Sequence, residues 1–253
     1  MNRWPMWFRL WLMLAIFGAS IGGAKAAGIT CTWDGSTGDW SEGGKWDNGI
    51  PGADDYAVIN AGAVLLTTDT DALASFTMGG GTLTMSNWTT RLRATNVTMT
   101  AGTITCGPAF TNSIMSNRVW IVCTNISIAA GAKIDVDGKG WSGKQAGNPS
   151  AAGYGPGAPI SGSYNGAAHG GYGRQDNPMN NKGLIYGSVS QPTAPGSGGS
   201  GYAGATYYGG NGGGAVRIDA TGDVTLNGTI TANASDPYNN GGGGGSGGGI
   251  YIS

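Results

Sequence analysis

Chemistry in this 253-residue chain would have to start from its few ionisable and nucleophilic side chains. Asp135 and Asp137 stand two apart in Ile134-Asp135-Val136-Asp137-Gly138. Glycoside hydrolysis needs two carboxylates, about 5 or about 6.5–9.5 Å apart, so this is the pair to weigh. On a strand, residues two apart share a face. Both carboxylates therefore point outward while Ile134 and Val136 point in. A solvated strand face ending in an Asp-Gly turn offers no pocket to raise one carboxyl pKa. The single histidine, His169, lies in a glycine-rich stretch with no strand-borne Ser or Asp partner, which leaves a triad unsupported. No catalytic residue is assigned, and the chain is expected not to be an enzyme.

Cys31, Cys106 and Cys123 lack the Cys-x-x-Cys or histidine spacing of a zinc site, and three cysteines do not make a disulfide scaffold. Two readings stay open. Cys106 and Cys123 become neighbours, bridged or not, if their strands stack about 4.8 Å apart. Alternatively, all three are small buried hydrophobes. The glycine tracts carry no cofactor signature. Residues 196–201 read Gly-Ser-Gly-Gly-Ser-Gly but lack the Gly-Lys-Ser/Thr ending of a phosphate loop. No helix follows to make a dinucleotide site. No aspartate punctuates residues 241–249 as in calcium-binding nonapeptides. Neither a cofactor nor a metal is expected. Tyr154, Tyr164, Tyr172, Tyr202, Tyr207 and Tyr208 are placed either to contact glycans or protein partners, as Tyr does in adaptable loops, or to pack the glycine segment.

The elements that carry these residues are strands. Glycine occurs 51 times, against a usual share of about 7%, and strong helix formers are scarce beyond the first residues. Short runs alternate apolar residues with Thr, Ser or Asn around a tight Gly turn. They include Val58–Leu66, Phe76–Met85, Val97–Cys106, Ile126–Val136 and Val224–Ala232. Such alternation marks half-buried strands. Gly62, Gly81 and Gly102 recur about every twenty residues, the period of one coil of a solenoid. The fold expected is all-β: a right-handed parallel β-helix with long glycine-rich inserts, the alternative being an antiparallel β-sandwich.

The chain opens with Arg3 and Arg9, an apolar run from Leu10 to Phe17, and Ala24-Lys25-Ala26. That order of basic, apolar and small residues is a secretory signal peptide, residues 1–26. The run is too short to span a bilayer, so no membrane insertion is expected after cleavage. Without Arg3, Arg9 and Lys25, ten basic residues face 14 acidic ones, a net charge of −4. The charges are scattered, and a nucleic-acid partner, which wants a basic stripe, is not expected. Residues 27–56 form a Trp-rich N-terminal cap, 57–137 the rungs, 138–214 a glycine- and tyrosine-rich insert, and 215–253 further rungs with a second glycine tract. An insert that long without strand pattern reads as a linker or a functional excursion. Ile250-Tyr251-Ile252 looks like the opening of another copy, so the expectation is a fragment of a longer protein. Asn-x-Ser/Thr triplets at Asn87, Asn96, Asn125, Asn227 and Asn233 are either glycosylation acceptors or a by-product of Thr-rich strands flanked by Asn turns.

Trp33-Asp34-Gly35, Asp39-Trp40-Ser41, Lys45-Trp46 and Pro51-Gly52-Ala53-Asp54-Asp55 resemble the opening of the passenger regions of autotransporter-like bacterial surface proteins. The resemblance covers about residues 31–60. It implies a β-helix displayed outside the cell as a stalk or adhesin, with glycans or cell-surface proteins as partners. The C-terminal barrel or anchor of that family is not found in these residues. The glycine tracts also resemble the extracellular glycine-rich region of anaplastic-lymphoma-kinase-type receptors, where polyglycine helices bundle. The function expected is a secreted or cell-surface structural or adhesion protein. The alternatives are part of an extracellular polysaccharide-degrading β-helix enzyme, or a recognition module on the Gly/Tyr insert. Read from the residues alone, Trp33, Trp40 and Trp46 are large enough to close the end of a rung stack. The other reading of those rings is a sugar platform.

Overall fold

The computed structural model describes residues 28–111, 113–146, 150–159, 164–174, 183–202, 207–238 and 241–253. The signal-peptide reading of residues 1–26 lies outside the described residues. Regular structure among the described residues is strand, apart from one short 3-10 turn at Gly43–Lys45. The strands are β1 (Thr30–Thr32), β2 (Thr37–Asp39), β3 (Tyr56–Ile59), β4 (Ala63–Leu66), β5 (Leu73–Met78), β6 (Thr82–Met85) and β7 (Leu92–Met99). They continue as β8 (Gly102–Cys106), β9 (Val119–Ile128), β10 (Ala132–Asp135), β11 (Val216–Ala220), β12 (Val224–Leu226), β13 (Thr229–Thr231) and β14 (Ile250–Ile252).

They build two sheets, one ordered β1-β3-β5-β7-β9-β11-β14 with β12 also on β9, the other β13-β10-β8-β6-β4-β2. Every pairing between named strands is parallel. The protein is therefore all-β with two parallel sheets, and the antiparallel sandwich is excluded. From β1 to β10 the chain passes alternately from one sheet to the other, each strand lying in register on the strand two before it. Like residues consequently stack. Ala57, Phe76, Val97 and Ile126 form one inward column of the larger sheet. Val64, Leu83, Ile104 and Ile134 form another in the smaller sheet. Burial of each such side chain contributes about 1.5–3 kcal/mol, so the alternation in sequence becomes the core. The columns end in the open: Val224 is 43% exposed and Leu226 46%, although their register partners Ile126 and Ile128 are buried.

Gly62, Gly81 and Gly102 have φ of +85°, +75° and +85°. A Cβ on Gly81 would sit 2.6 Å from the Gly62 carbonyl oxygen, so the corner glycines stack as well and larger residues do not fit. A second corner lies inside β7 and β9. Leu92 and Ala94 are buried, Thr95 and Asn96 are exposed, and burial resumes at Val97 and Met99. That one-residue slip divides β9 too: Val119–Cys123 pairs with β11 and Ile126–Ile128 with β12. The expected stacking of Cys106 on Cys123 is not found, because β8 and β9 belong to different sheets and the strand laid on β8 is β10. Cys106 stacks on Met85 in the smaller sheet, and Cys123 stacks on Ala94 and Ala220 in the larger one. All three cysteines are free and buried.

The described residues of 138–214 are tied together by backbone hydrogen bonds. Four extended segments, at 140–144, 196–201, 209–214 and 242–249, exchange backbone hydrogen bonds with a period of three. Gly196 and Gly199 donate to Gly213 and Gly210, while Gly198 and Gly201 donate to Tyr154 and Ala151, all at 2.8–2.9 Å. Gly210 and Gly213 donate to Gly243 and Ser246 at 2.9 and 3.0 Å. Gly243 and Ser246 donate back to Ser200 and Ser197 at 2.8 and 2.9 Å. Every third residue thus faces the same neighbour, the repeat of a polyproline-II-type chain. Such a chain has no internal hydrogen bonds, so its amides are satisfied only by neighbours. Glycine permits that approach because a Cβ on Gly199, Gly210 or Gly243 would meet a neighbouring carbonyl oxygen.

Candidate functional site

Asp135 and Asp137 lie on the outer face as expected, alternating with the fully buried Ile134 and Val136. Lys133 Nζ donates to Asp135 Oδ2 at 2.9 Å, and Asp135 Oδ1 accepts the Asp137 N–H at 3.1 Å. Asp137 accepts the Asn233 N–H at 2.6 Å and its side-chain amide at 3.1 Å. The Lys133 hydrogen bond holds the Asp135 carboxyl below its ordinary range, the opposite of what a proton-donating acid needs. His169 stacks on Tyr186, ring centroids 4.5 Å apart, and its Nδ1 donates to Gly247 O at 2.8 Å. Tyr186, which the sequence did not single out among the tyrosines, is a packing residue. Its hydroxyl donates to Pro195 O at 2.6 Å and accepts from Ser197 Oγ at 2.9 Å. Burial pushes its pKa up to about 12.

Trp33, Trp40 and Trp46 are buried and stacked edge to face, with centroids 5.1 and 4.7 Å apart. Trp33 Nε1 donates to Ser36 O and Trp46 Nε1 to Trp40 O, each at 2.9 Å. Rings enclosed in this way do not present a flat face to a sugar. The glycine-segment tyrosines divide: Tyr208 stacks on Tyr238 at 5.6 Å, whereas Tyr164, Tyr172, Tyr202 and Tyr207 are exposed.

One side-chain constellation was not foreseen. On the outer face of the larger sheet, parallel register aligns Trp120 with Arg217 and Tyr251. Leu92 pairs with Ile121, which sets Arg91, one residue before β7, beside Trp120. The guanidinium carbons of Arg118, Arg217 and Arg91 lie 3.9, 4.7 and 5.3 Å from the Trp120 ring centroid. Arg118 also lies 4.6 Å from the Trp88 ring, so its guanidinium is held between two indoles. Two of the arginines have carboxylates. Arg91 donates from Nε and Nη2 to Asp69 Oδ2 at 2.8 and 2.6 Å. Arg217 Nε donates to both Asp219 oxygens at 2.9 and 3.0 Å, and Trp120 Nε1 donates to Asp219 Oδ2 at 2.8 Å.

Among the described residues, Arg118 pairs with no carboxylate. It is 6% exposed, and its Nε is buried with no hydrogen-bond partner. Burial, reinforced by Arg217, lowers its pKa to about 10, so the group remains a cation at neutral pH. The cluster holds three guanidiniums against two carboxylates. Such an arrangement can chemically accept an anionic group, with aromatic rings fixing the orientation of its donors. The sequence signal was weak: Arg118-Val119-Trp120 and Val216-Arg217-Ile218 alternate like any other strand. No family model, curated protein or solved structure matches the chain.

Proposed function

We propose that this chain is a secreted or cell-surface protein that works by contact, a stalk or adhesion module in the form of a right-handed parallel β-helix. One observation carries the reading: inward columns stacked in register leave long outward rows of short polar side chains. Thr77, Thr98, Ser127 and Thr225 form one such row. Thr82, Thr103, Lys133 and Thr229 form another. A row of this kind offers an extended surface to a polymer or a cell, and lengthens with each added strand. The lowered pKa and local partners of Asp135 favour the same reading over glycoside hydrolysis. The resemblance of residues 31–60 to autotransporter-like passengers supports display outside the cell.

The test uses the full chain after signal removal, incubated with a panel of plant and algal polysaccharides while reducing ends and unsaturated products are measured. The expected result is no turnover together with retention on cells or glycan surfaces, unchanged by Asp135→Ala with Asp137→Ala. Robust turnover that disappears in that double variant would establish the enzyme reading instead.

A further inference from the structure

We propose that Arg118 and Arg217 hold the anionic group of an acidic polysaccharide laid along the outer face of the larger sheet. This names the ligand class of the contact surface and rests on the contact reading above.

The argument starts from charge. A guanidinium is a cation at any ordinary pH, and burying one without a counter-charge is costly. Arg118 is buried between Trp88 and Trp120 with an unpartnered Nε and no carboxylate among the described residues, whereas its neighbours Arg91 and Arg217 each have one. Arg217 spends only its Nε on Asp219, and both it and Arg118 stack on the one Trp120 ring. A carboxylate or sulfate bridging these two guanidiniums supplies the missing charge and accepts from donors already held in place. Arg93, in β7, lies two residues beyond Arg91 on the same outward side, and extends the cationic area.

The shape selects a polymer of sugars. The cluster lies on an open sheet face. Beyond the corner in β7 and β9 come Asn96 and Asn125, joined by a 2.9 Å side-chain hydrogen bond, and then the row Thr98, Ser127 and Thr225. Hydroxyls and amides in that order suit the hydroxyls of an extended saccharide. A nucleic acid is disfavoured, because duplex phosphates are bound by a stripe of many cations along a groove, whereas here Arg118 and Arg93 are the cluster's cations without a carboxylate among the described residues and the rest of the row is hydroxyl and amide.

The experiment is biolayer interferometry with the full mature chain on immobilised polygalacturonate, dextran sulfate, unsubstituted dextran and a DNA duplex, at two salt concentrations. Binding to polygalacturonate or dextran sulfate is expected, with little on dextran or DNA, and weaker at higher salt. Comparison of the two binding arms distinguishes carboxylate from sulfate. Arg217→Gln, at a partly exposed position, should weaken binding about tenfold, the loss of one charge-assisted contact, in a variant whose circular dichroism shows the same strand content. Arg118→Lys keeps the charge and loses the planar stack, so it should weaken binding too, while Arg174→Gln, exposed in the glycine segment, should not. Equal binding to dextran or DNA, no binding to either acidic polymer, or unaltered affinity in a folded Arg217→Gln variant overturns the proposal. Reducing ends appearing in the same samples would count against the contact reading and leave the anion site standing.

Discussion

Adjacent glycines in the second glycine tract should respond oppositely to one added methyl group. Gly243 donates to Ser200 O at 2.8 Å and its carbonyl accepts from Gly210 at 2.9 Å, and a Cβ there would collide with the Asn165 carbonyl. Gly244, one residue on, has open space where its Cβ would lie and no positive φ. The obstacle at Gly243 is backbone, which cannot rotate away. Overpacking costs about 1–3 kcal/mol, and each of the two hydrogen bonds contributes about 0.5–1.5 kcal/mol. Gly243→Ala should therefore lose about 2–6 kcal/mol. At about 2–4 °C per kcal/mol for a chain of this size, the melting temperature should fall by roughly 10 °C. Gly244→Ala should stay within about 1 kcal/mol, and any change should be toward stability, because alanine restricts the unfolded chain. Thermal unfolding by circular dichroism, with urea titration as a second measure, reads both. If the two variants melt together, the tract does not form the three-residue-period bundle and the packing argument fails.

In the inward columns, Leu83→Ala should cost about 2–5 kcal/mol because Leu83 is fully buried between Val64 and Ile104. Outward Thr84→Ala should change stability by less than about 0.5 kcal/mol, and urea midpoints test the contrast. The thiols should be inert in the native protein: burial pushes Cys106 up to about 12 and Cys123 to about 11, and raises Cys31 as well. Alkylation at pH 8 followed by mass spectrometry should label none of the three until denaturant is added, whereas rapid native labelling would contradict the burial. Asp135 is held low by Lys133. Asp219 is pulled up by burial but more than offset by Arg217 and Trp120, so it too ends below its ordinary value. A carboxyl depressed in the fold adds stability above its unfolded pKa, about 3.9, and that stability is lost as pH falls through the folded value. Melting temperature should therefore be level from neutral pH to about 5 and decline below about 4, with a smaller decline in Asp219→Asn.

Strand alternation, the roughly twenty-residue glycine period and the enclosure of Trp33, Trp40 and Trp46 were legible in the chain, because each rests on local rules. Alternate side chains point to opposite faces, a tight corner needs a positive φ, and large apolar rings seek burial. Parallel pairing and the outward direction of Asp135 and Asp137 follow from the same period. What joins distant segments was not legible. The place of Cys123 depends on the long connection between β8 and β9: the residue stacked on Gly102 is Ala132, 30 residues on, and Cys123 falls in the other sheet, so its distance in sequence from Cys106 misled. The glycine bundle has no side-chain pattern to read: its order lies in amide-to-carbonyl bonds from Trp141 to Gly196, Gly196 to Gly213 and Gly213 to Ser246. The arginine–tryptophan cluster draws on Trp88, Arg118 and Arg217. Trp120 and Asp219, which share its central hydrogen bond, are 99 residues apart. Only the ladder that lays β11 on β9 brings such residues within reach, since lateral strand register is a property of the assembled sheet and of no single segment.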